Sequence, residues 1–171
     1  MSEALLTDEL LLRLASDFEF KREVCGEHPI SGNGVRIDLL AKGKAHLVEL
    51  GFTDEWFGIE CKWADRLSGT TSKTTRMVWQ SITYAQSLFT VDGTLVRPKF
   101  VAVYTPDNLH SLIEVHLKHL LALGLYGNVG RLYFYRHGGW GIKFANNYAS
   151  SSQGTIHIND SQLPKRRVGS V

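Results

Sequence analysis

Two short segments of this chain are apolar enough to be buried strands, yet each carries charged side chains in its middle. Residues 35–41 (VRIDLLA) enclose Asp38, and residues 57–63 (FGIECKW) enclose Glu60 and Lys62. An ionised carboxylate in an apolar strand is costly unless it is paired, hydrogen-bonded or bound to a metal. Any fold of this chain must therefore bring partners to these three side chains.

The alternation of a strand separates these charges from their apolar neighbours. Residues two apart point to the same side, so Glu60 and Lys62 share one face, and Cys61 points to the other and is predicted to be a core residue. Two carboxylates on neighbouring strands can hold Mg²⁺ through oxygen ligands. A lysine beside them can lower the pKa of a metal-bound water or hold that water in line with a phosphorus atom.

The rest of the chain predicts an α/β fold. Apolar periodicity favours helices and strands in the order αβββαβαββ, which implies a mixed β-sheet flanked by helices. The predicted helices are 4–16, 76–90 and 109–123. The predicted strands are 18–25, 35–41, 57–63, 99–104, 131–136 and 140–145, with 45–50 as a further short strand.

Local signals suggest where these elements begin and end. Thr7 or Asp8 is the expected cap of the first helix, and Asp92-Gly93 is expected to end the second. The last two strands should form a hairpin. We expect one domain over residues 1–145, followed by a polar, basic tail or extension over 146–171.

Charge is distributed unevenly along the chain. The net charge is only +2, but residues 116–171 carry 7 Lys/Arg against 1 Asp/Glu, while residues 1–115 carry a net −4. A basic part beside an acidic part is typical of a polyanion-binding protein with a metal site, and it also arises by chance. Two cysteines, no secretion signal and no apolar run of membrane-spanning length predict a cytoplasmic protein with reduced thiols.

The charged residues of the two strands form a recognisable pattern. Asp38 is followed, after 21 intervening residues, by Glu60-Cys61-Lys62, and the next helix carries Gln80 and Tyr84 four residues apart, on one helical face. This arrangement resembles the PD-(D/E)XK nuclease superfamily, in its RecB-like branch, with Ile37 in place of the proline that names the motif. The resemblance covers residues 4–104, about 60% of the chain.

The resemblance implies a restriction-endonuclease-like core, extended here by the C-terminal hairpin, and a set of site residues. Asp38 and Glu60 would bind Mg²⁺, for which Mn²⁺ can substitute, and the Cys61 carbonyl oxygen would be a further ligand. Lys62 would position or activate the attacking water. Gln80 and Tyr84 would contact substrate or the waters of the metal site.

A third carboxylate is common in this family, on the first helix or the first strand. Glu9 is the helix candidate and Glu23 the strand candidate, and family analogy alone ranks Glu9 first. Arg66, Lys73 and Arg76 flank the start of the second helix and are candidates for binding DNA phosphates. A solvated loop explains these three equally well.

The sequence thus predicts a Mg²⁺-dependent nuclease that cleaves phosphodiester bonds, in DNA, by attack of a Mg²⁺-activated water. A compact nuclease of this kind would suit a phage or mobile element. The alternatives are a nucleic-acid-binding or scaffold protein of the same fold without cleavage, and a nuclease for branched DNA or RNA. A homodimer and the choice between cutting within a strand and cutting from an end are left open.

Overall fold

Ten strands of the described chain form one mixed, open β-sheet, and four helices accompany it. The computed structural model describes residues 2–64, 70–106, 111–123, 128–136, 138–144, 147–152 and 155–159. The sheet confirms the predicted mixed α/β fold.

Helices and strands alternate along the chain. The helices are α1 (Glu3–Leu14), α2 (Ala45–Glu49), α3 (Thr70–Gln86) and α4 (Ser111–Leu123). The strands are β1 (Phe18–Glu27), β2 (Gly34–Gly43), β3 (Phe57–Cys61), β4 (Leu88–Val91), β5 (Thr94–Val96), β6 (Val101–Tyr104), β7 (Val129–Phe134), β8 (Trp140–Phe144), β9 (Asn147–Ser152) and β10 (Thr155–Asn159).

The strand order is β10-β9-β8-β7-β6-β3-β2-β1-β4-β5. Strands β3, β6 and β7 run parallel to one another, and the other described pairs are antiparallel. The carboxyl ends of β3, β6 and β7 therefore meet at one edge of the sheet. In open α/β sheets, ligands bind beyond this kind of edge.

Helix α1 covers one face of the sheet. Leu6, Leu10 and Leu14 recur at a spacing of four residues and pack with Ile59 and Cys61 of β3. Aromatic rings complete this cluster, among them those of Phe18, Phe52, Phe57, Phe100 and Trp140. This large apolar contact fixes the position of β3 in the sheet.

Helices α3 and α4 lie on the opposite face. Met77 of α3 and Leu117 of α4 pack on Val103 of β6, and Tyr84 of α3 packs in a neighbouring cluster with Ile37 of β2 and Val101 of β6. Along β6, Val101 and Val103 therefore face α3 and α4, while the residues between and after them face α1. The same alternation turns Gly58 and Glu60 of β3 towards α3.

Asp38 lies where the alternation of β2 is interrupted. Ile37 and Leu40, three residues apart, belong to one cluster, whereas Leu39 packs with the cluster on the α1 face. On the neighbouring strand β1, Glu23 adopts a φ of 48°. Asp38 thus lies at the point where β2 departs from the regular alternation of a strand.

The structure differs from the predicted elements at several points. The second helix, predicted over 76–90, spans Thr70–Gln86 as α3, and residues 88–90 belong to strand β4. Residues 45–49 form helix α2 rather than a strand, because the segment turns the chain between β2 and β3 and buries only Leu47. Asp92 and Gly93, with φ of 49° and 80°, form the turn of the β4–β5 hairpin instead of ending a helix. Ser2, not Thr7 or Asp8, caps α1, and its Oγ accepts a hydrogen bond from the Leu5 N–H at 3.3 Å.

The sheet also continues past the expected end of the domain. The hairpin of β7 and β8 is confirmed, and β9 and β10 pair onto it in turn. Residues 147–152 and 155–159, which the sequence assigned to a tail or extension, thus extend the sheet. Residues 160–171 lie outside the described part of the chain.

Gly58 provides a test of the packing beneath α3. A Cβ atom at Gly58 would lie 2.4 Å from Ile37 Cδ1 and 3.0 Å from Val101 Cγ2, both in the buried core. We expect Gly58→Ala to lower the free energy of unfolding by about 1–3 kcal/mol through overpacking. Urea denaturation measures this difference.

The matched control is Gly34→Ala in β2, where an added Cβ meets nothing within 4 Å. This control should be neutral or stabilising by up to about 1 kcal/mol. Equal effects of the two substitutions would mean that the space above Gly58 is not filled as described.

Candidate active site

Asp38 and Glu60 come together because β2 and β3 are antiparallel neighbours. The register pairs Leu39 with Ile59, so one step further along the ladder Asp38 lies opposite Glu60. The backbone N–H of Cys61 donates a hydrogen bond to Asp38 Oδ2 at 2.8 Å. The pairing that the sequence motif predicts is therefore built by the sheet itself.

Glu60 is the most buried of the charged residues at this point. Its exposure is 4%, and its Oε2 atom has no hydrogen-bond partner. Burial, followed by repulsion from Asp38, raises the pKa of Glu60 from 4.5 to about 8, against the attraction of Lys62. At neutral pH the Glu60 side chain thus carries a proton.

Asp38 is less buried and differently held. Burial raises the pKa of Asp38, and both the Cys61 N–H and the charge of Lys62 oppose that rise. The hydrogen bond fixes one carboxylate oxygen of Asp38. The two acids therefore differ in character, one ionised more readily and the other holding a proton.

Lys62 follows the last residue of β3, and both its backbone N–H and its side-chain ammonium group have partners. Its backbone N–H donates to the Tyr104 carbonyl oxygen at 2.9 Å, which continues the pairing of β3 with β6. Its Nζ lies 3.4 Å from the carboxylate of Glu3, and 21% of its side chain is exposed. The ammonium group is thus close enough to act on the pKa values of both Asp38 and Glu60.

Glu3 is the acidic residue of α1 at this site, and the sequence reasoning missed it. Its charge raises the pKa values of both Asp38 and Glu60. A signal was present in the sequence, since Glu3, Thr7, Leu10 and Leu14 are spaced four, three and four residues apart and so share a helical face. Placing the helix start at residue 4 removed Glu3 from consideration.

The two carboxylates that were proposed as a third ligand have other surroundings. Glu9 lies 3.6 Å from Arg13 in an ion pair along α1, with half of its side chain exposed. Glu23 is exposed and lies in the strained position of β1. Glu3, rather than Glu9 or Glu23, contacts Lys62.

Cys61 has the orientation that the strand alternation predicts. Its thiol packs in the cluster on the α1 face, and a hydrogen bond relates it to Thr7. Burial raises the pKa of the Cys61 thiol to about 12. The side chain is therefore a protonated core residue, which leaves only its backbone carbonyl as a candidate ligand.

Helix α3 brings the predicted Gln and Tyr over the carboxylates. Tyr84 is 7% exposed, and burial and the charges of Glu60 and Asp38 raise its pKa to about 12. One helical turn earlier, the Oε1 atom of Gln80 is buried without a hydrogen-bond partner. The phenol and the amide thus face the same buried polar region as Glu60.

The candidate DNA-binding cations are only partly described. Lys73 and Arg76 are exposed on α3, and Arg66 lies outside the described residues. The charges of Arg76 and of Arg36, on β2, lower the pKa of Tyr84, which places both cations on the side of the site. Trp79, one turn after Arg76, is 63% exposed.

The donor atoms at the site suit a hard divalent cation. Within the described ranges, no group of three or more His, Cys, Asp or Glu side chains is arranged to hold a metal ion. Mg²⁺, however, commonly binds through one or two carboxylates and completes its shell with waters and substrate phosphates. Asp38 opposite Glu60, whose buried Oε2 has no partner, fits this mode of binding.

Comparisons with protein-family models, with curated proteins and with solved structures give no match for this chain. Function is therefore inferred from the geometry of the site. No helix in the described part of the chain combines the length and the apolar character needed to cross a membrane.

The raised pKa of Glu60 has a consequence for stability. Between about pH 4.5 and pH 8 the folded protein keeps a proton on Glu60 that the unfolded chain has lost. In the absence of divalent metal, stability should therefore fall as pH rises through this window, by on the order of a few kcal/mol in total. Urea denaturation in EDTA at several pH values measures this fall.

Glu60→Gln isolates the contribution of this carboxyl. The amide cannot ionise, so the variant should lose this component of the pH dependence and become more stable than the wild type at pH 8. Glu9→Gln, at a half-exposed position, is the matched control and should leave the wild-type profile unchanged. Parallel pH profiles for the wild type and Glu60→Gln would contradict the assignment of a raised pKa.

Proposed function

We propose that this protein is a metal-dependent nuclease that hydrolyses phosphodiester bonds in DNA. The observation that carries the proposal is the buried Glu60, opposite Asp38 on the neighbouring strand, with Lys62 directly after it. Glu60 is buried and Asp38 is half-buried, and the repulsion between the two carboxylates makes their juxtaposition unfavourable for stability alone. A bound cation resolves this repulsion.

The order of the elements supports the resemblance to the PD-(D/E)XK superfamily. We propose that α1, β1, β2, β3, α3 and β6 form a restriction-endonuclease-like core, in which β3 and β6 are parallel. The β4–β5 hairpin is inserted between α3 and β6, and strands β7–β10 extend the sheet beyond β6. In this interpretation the extension is specific to this chain.

Asp38 and Glu60 would hold the ion, Mg²⁺ or Mn²⁺, with the Cys61 carbonyl oxygen as a further ligand. When bound, the ion supplies a water of lowered pKa and neutralises charge on the phosphate. The Cys61 N–H fixes one oxygen of Asp38 and thereby orients its carboxylate. Glu60 would serve as a ligand in its deprotonated form, because a metal ligand must be deprotonated.

Lys62 would orient the attacking water or take its proton. The Glu3 carboxylate, 3.4 Å from Nζ, restrains the ammonium group at the end of β3. The Tyr84 hydroxyl on α3 stays protonated and can donate a hydrogen bond to a phosphate oxygen. Gln80 offers an amide beside it for the same purpose or for a water.

Substrate would approach along the exposed side of α3. Lys73 and Arg76 supply positive charge there, and the exposed indole of Trp79 offers a surface for stacking on a base. Binding through phosphates makes affinity fall steeply with salt. The compartment of the protein, a homodimer and an origin in a phage or mobile element stay predictions.

A second function is favoured by the contact between Lys62 and Glu3. In a nucleic-acid-binding or scaffold protein without cleavage, Lys62 would serve to stabilise the fold. The ion pair with Glu3 gives Lys62 a partner for that role. The two functions differ in what Lys62 does. A structural lysine supports the fold, whereas a catalytic lysine supports turnover.

A cleavage panel tests the proposal directly. Supercoiled plasmid, linear duplex, single strands, a four-way junction and single-stranded RNA are each incubated with the protein in Mg²⁺, Mn²⁺ or EDTA. We expect cleavage of at least one DNA substrate that requires the divalent ion and is abolished in Asp38→Asn. A wild type that cuts no substrate in the panel supports the scaffold.

Lys62→Ala separates catalysis from stability. We expect cleavage to slow by roughly 10²–10⁴-fold, because the group that orients or deprotonates the water is lost. The melting temperature should change little, since about half of the Glu3 side chain is already exposed and such pairs contribute on the order of 1 kcal/mol or less. Cleavage rate and thermal unfolding are measured on the same preparation.

Lys21→Ala is the matched control, because Lys21 also forms an ion pair, 2.9 Å from Asp92, and is not among the charges that shift the pKa values of Asp38 and Glu60. It should cut like the wild type. A Lys62→Ala protein that melts far lower and retains its rate when folded would identify Lys62 as a structural residue.

A further inference from the structure

Buried polar atoms without partners are concentrated in one region of this protein. In the described part of the chain, four such side-chain atoms lack a hydrogen bond: Glu60 Oε2, Gln80 Oε1, Thr105 Oγ1 and Arg131 Nε. Buried polar groups without a partner are uncommon in folded proteins. Their grouping in one region is what a bound polar ligand would satisfy.

Arg131 lies in the same row of the sheet as Glu60. Val103 of β6 pairs with Glu60 on one side and with Arg131 of β7 on the other. Two strand spacings, roughly 10 Å, therefore separate the backbones of Glu60 and Arg131. Arg131 follows Val129 by two residues and so shares its face, which packs against α3 and α4.

Thr105 lies between these two residues at the carboxyl edge. It directly follows Tyr104, which pairs with Cys61, so Thr105 and Lys62 are the first residues beyond the ends of β6 and β3. Thr105 directly follows the end of β6, two residues beyond Val103, and continuing the alternation of β6 by one residue would turn its side chain to the α3-facing side. Thr105 is only 2% exposed.

The guanidinium of Arg131 is held by an ion pair with Glu114. Its Nη1 donates to the Glu114 carboxylate, in the first turn of α4, and 16% of the Arg131 side chain is exposed. This contact occupies Nη1 and leaves the Nε–H unpaired. The free N–H can therefore serve a ligand.

The four atoms divide by chemistry. Gln80 and the deprotonated form of Glu60 present oxygen acceptors, which suit a cation and its waters, at the β3 end of the region. Arg131 presents an N–H donor and Thr105 an O–H donor at the β6–β7 end. A donor pair next to a cation site is the arrangement that a phosphate group requires.

We propose that Arg131 and Thr105 form a subsite for the terminal phosphate of a DNA strand, continuous with the candidate active site. The assignment rests on the proposed nuclease function and deepens it, since it names the end of a strand as the substrate. Both donors are buried, so an internal phosphodiester could reach them only if the strand passed beneath the helices. A terminal phosphate carries up to two charges and three acceptor oxygens and needs no such passage.

The subsite is tested by binding, without turnover. Fluorescence anisotropy in EDTA compares the full chain with single strands that carry a 5′-phosphate, a 3′-phosphate or only hydroxyl ends. We expect one phosphorylated end to bind at least about fivefold more tightly than the hydroxyl end. Millimolar inorganic phosphate should remove this preference by competing for the same donors.

Thr105→Val removes the hydroxyl and keeps the shape of the side chain. The preference for the phosphorylated end should shrink to less than about twofold, while the melting temperature holds or rises, since no bond of the folded protein is broken. Thr53→Val is the matched control at a buried threonine whose Oγ1 accepts a hydrogen bond from Glu55 N–H at 3.1 Å. It should lower stability and keep the preference.

Arg131→Gln should abolish the preference as well. Its control, Arg22→Gln, breaks an exposed ion pair with Asp8 and should bind like the wild type. No preference for either phosphorylated end in the wild type overturns the proposal, and so does a preference that survives in Thr105→Val and Arg131→Gln.

Failure of the subsite and failure of the nuclease are distinguishable. Loss of the phosphate preference in both variants supports the subsite even if the wild type cuts no substrate in the panel, in which case the nuclease fails alone. Metal-dependent cleavage with equal binding of all three strand ends supports the nuclease and overturns the subsite.

Discussion

The repulsion between two carboxylates on adjacent strands is the constraint on which this structure depends. Glu60 is 4% exposed and lies opposite Asp38 on the neighbouring strand. Lys62 offsets part of this repulsion from the end of β3, and a proton on Glu60 offsets more. A divalent cation bound in place of that proton would remove the repulsion. The unfavourable pairing of the two acids is therefore explained if its function is to bind a metal ion.

The fold sets up this constraint through the two faces of β3. Its apolar residues pack into the aromatic cluster on the α1 side, which commits Glu60 to the opposite face beneath α3. The parallel run of β3, β6 and β7 then brings Lys62 and Thr105 to the same carboxyl edge and places Arg131 of β7 level with Glu60. The orientation of β3 and its parallel pairing with β6 thus bring hydrogen-bond acceptors and donors into a single buried region.

Much of this arrangement was predictable from the sequence, because successive residues of a strand point to opposite faces of the sheet. Asp38, Glu60 and Lys62 stand out against apolar neighbours, and the spacing of Gln80 and Tyr84 places both on one side of a helix. Glu3 was missed because the start of α1 was placed one residue too late. The β4–β5 hairpin was missed although Asp-Gly between apolar residues is a strong turn signal.

Other features could not be predicted, because they depend on tertiary contacts. The short helix α2 is decided by where the chain must turn between β2 and β3. Arg131 and Thr105 are ordinary residues of their segments, and only the parallel register of β6 with β3 and β7 brings them beside the acids. Strands β9 and β10 have weak polar patterns and are recognised by their pairing onto β8.

The most direct test of the central claim is the number of protons released when Mn²⁺ binds at pH 7. Calorimetric titration in two buffers of different ionisation enthalpy gives this number. Because the pKa of Glu60 is raised to about 8, one bound ion should displace close to one proton. Asp38→Asn should weaken the binding markedly. Mn²⁺ binding without proton release, or no binding by the wild type, would contradict a metal site at Asp38 and Glu60.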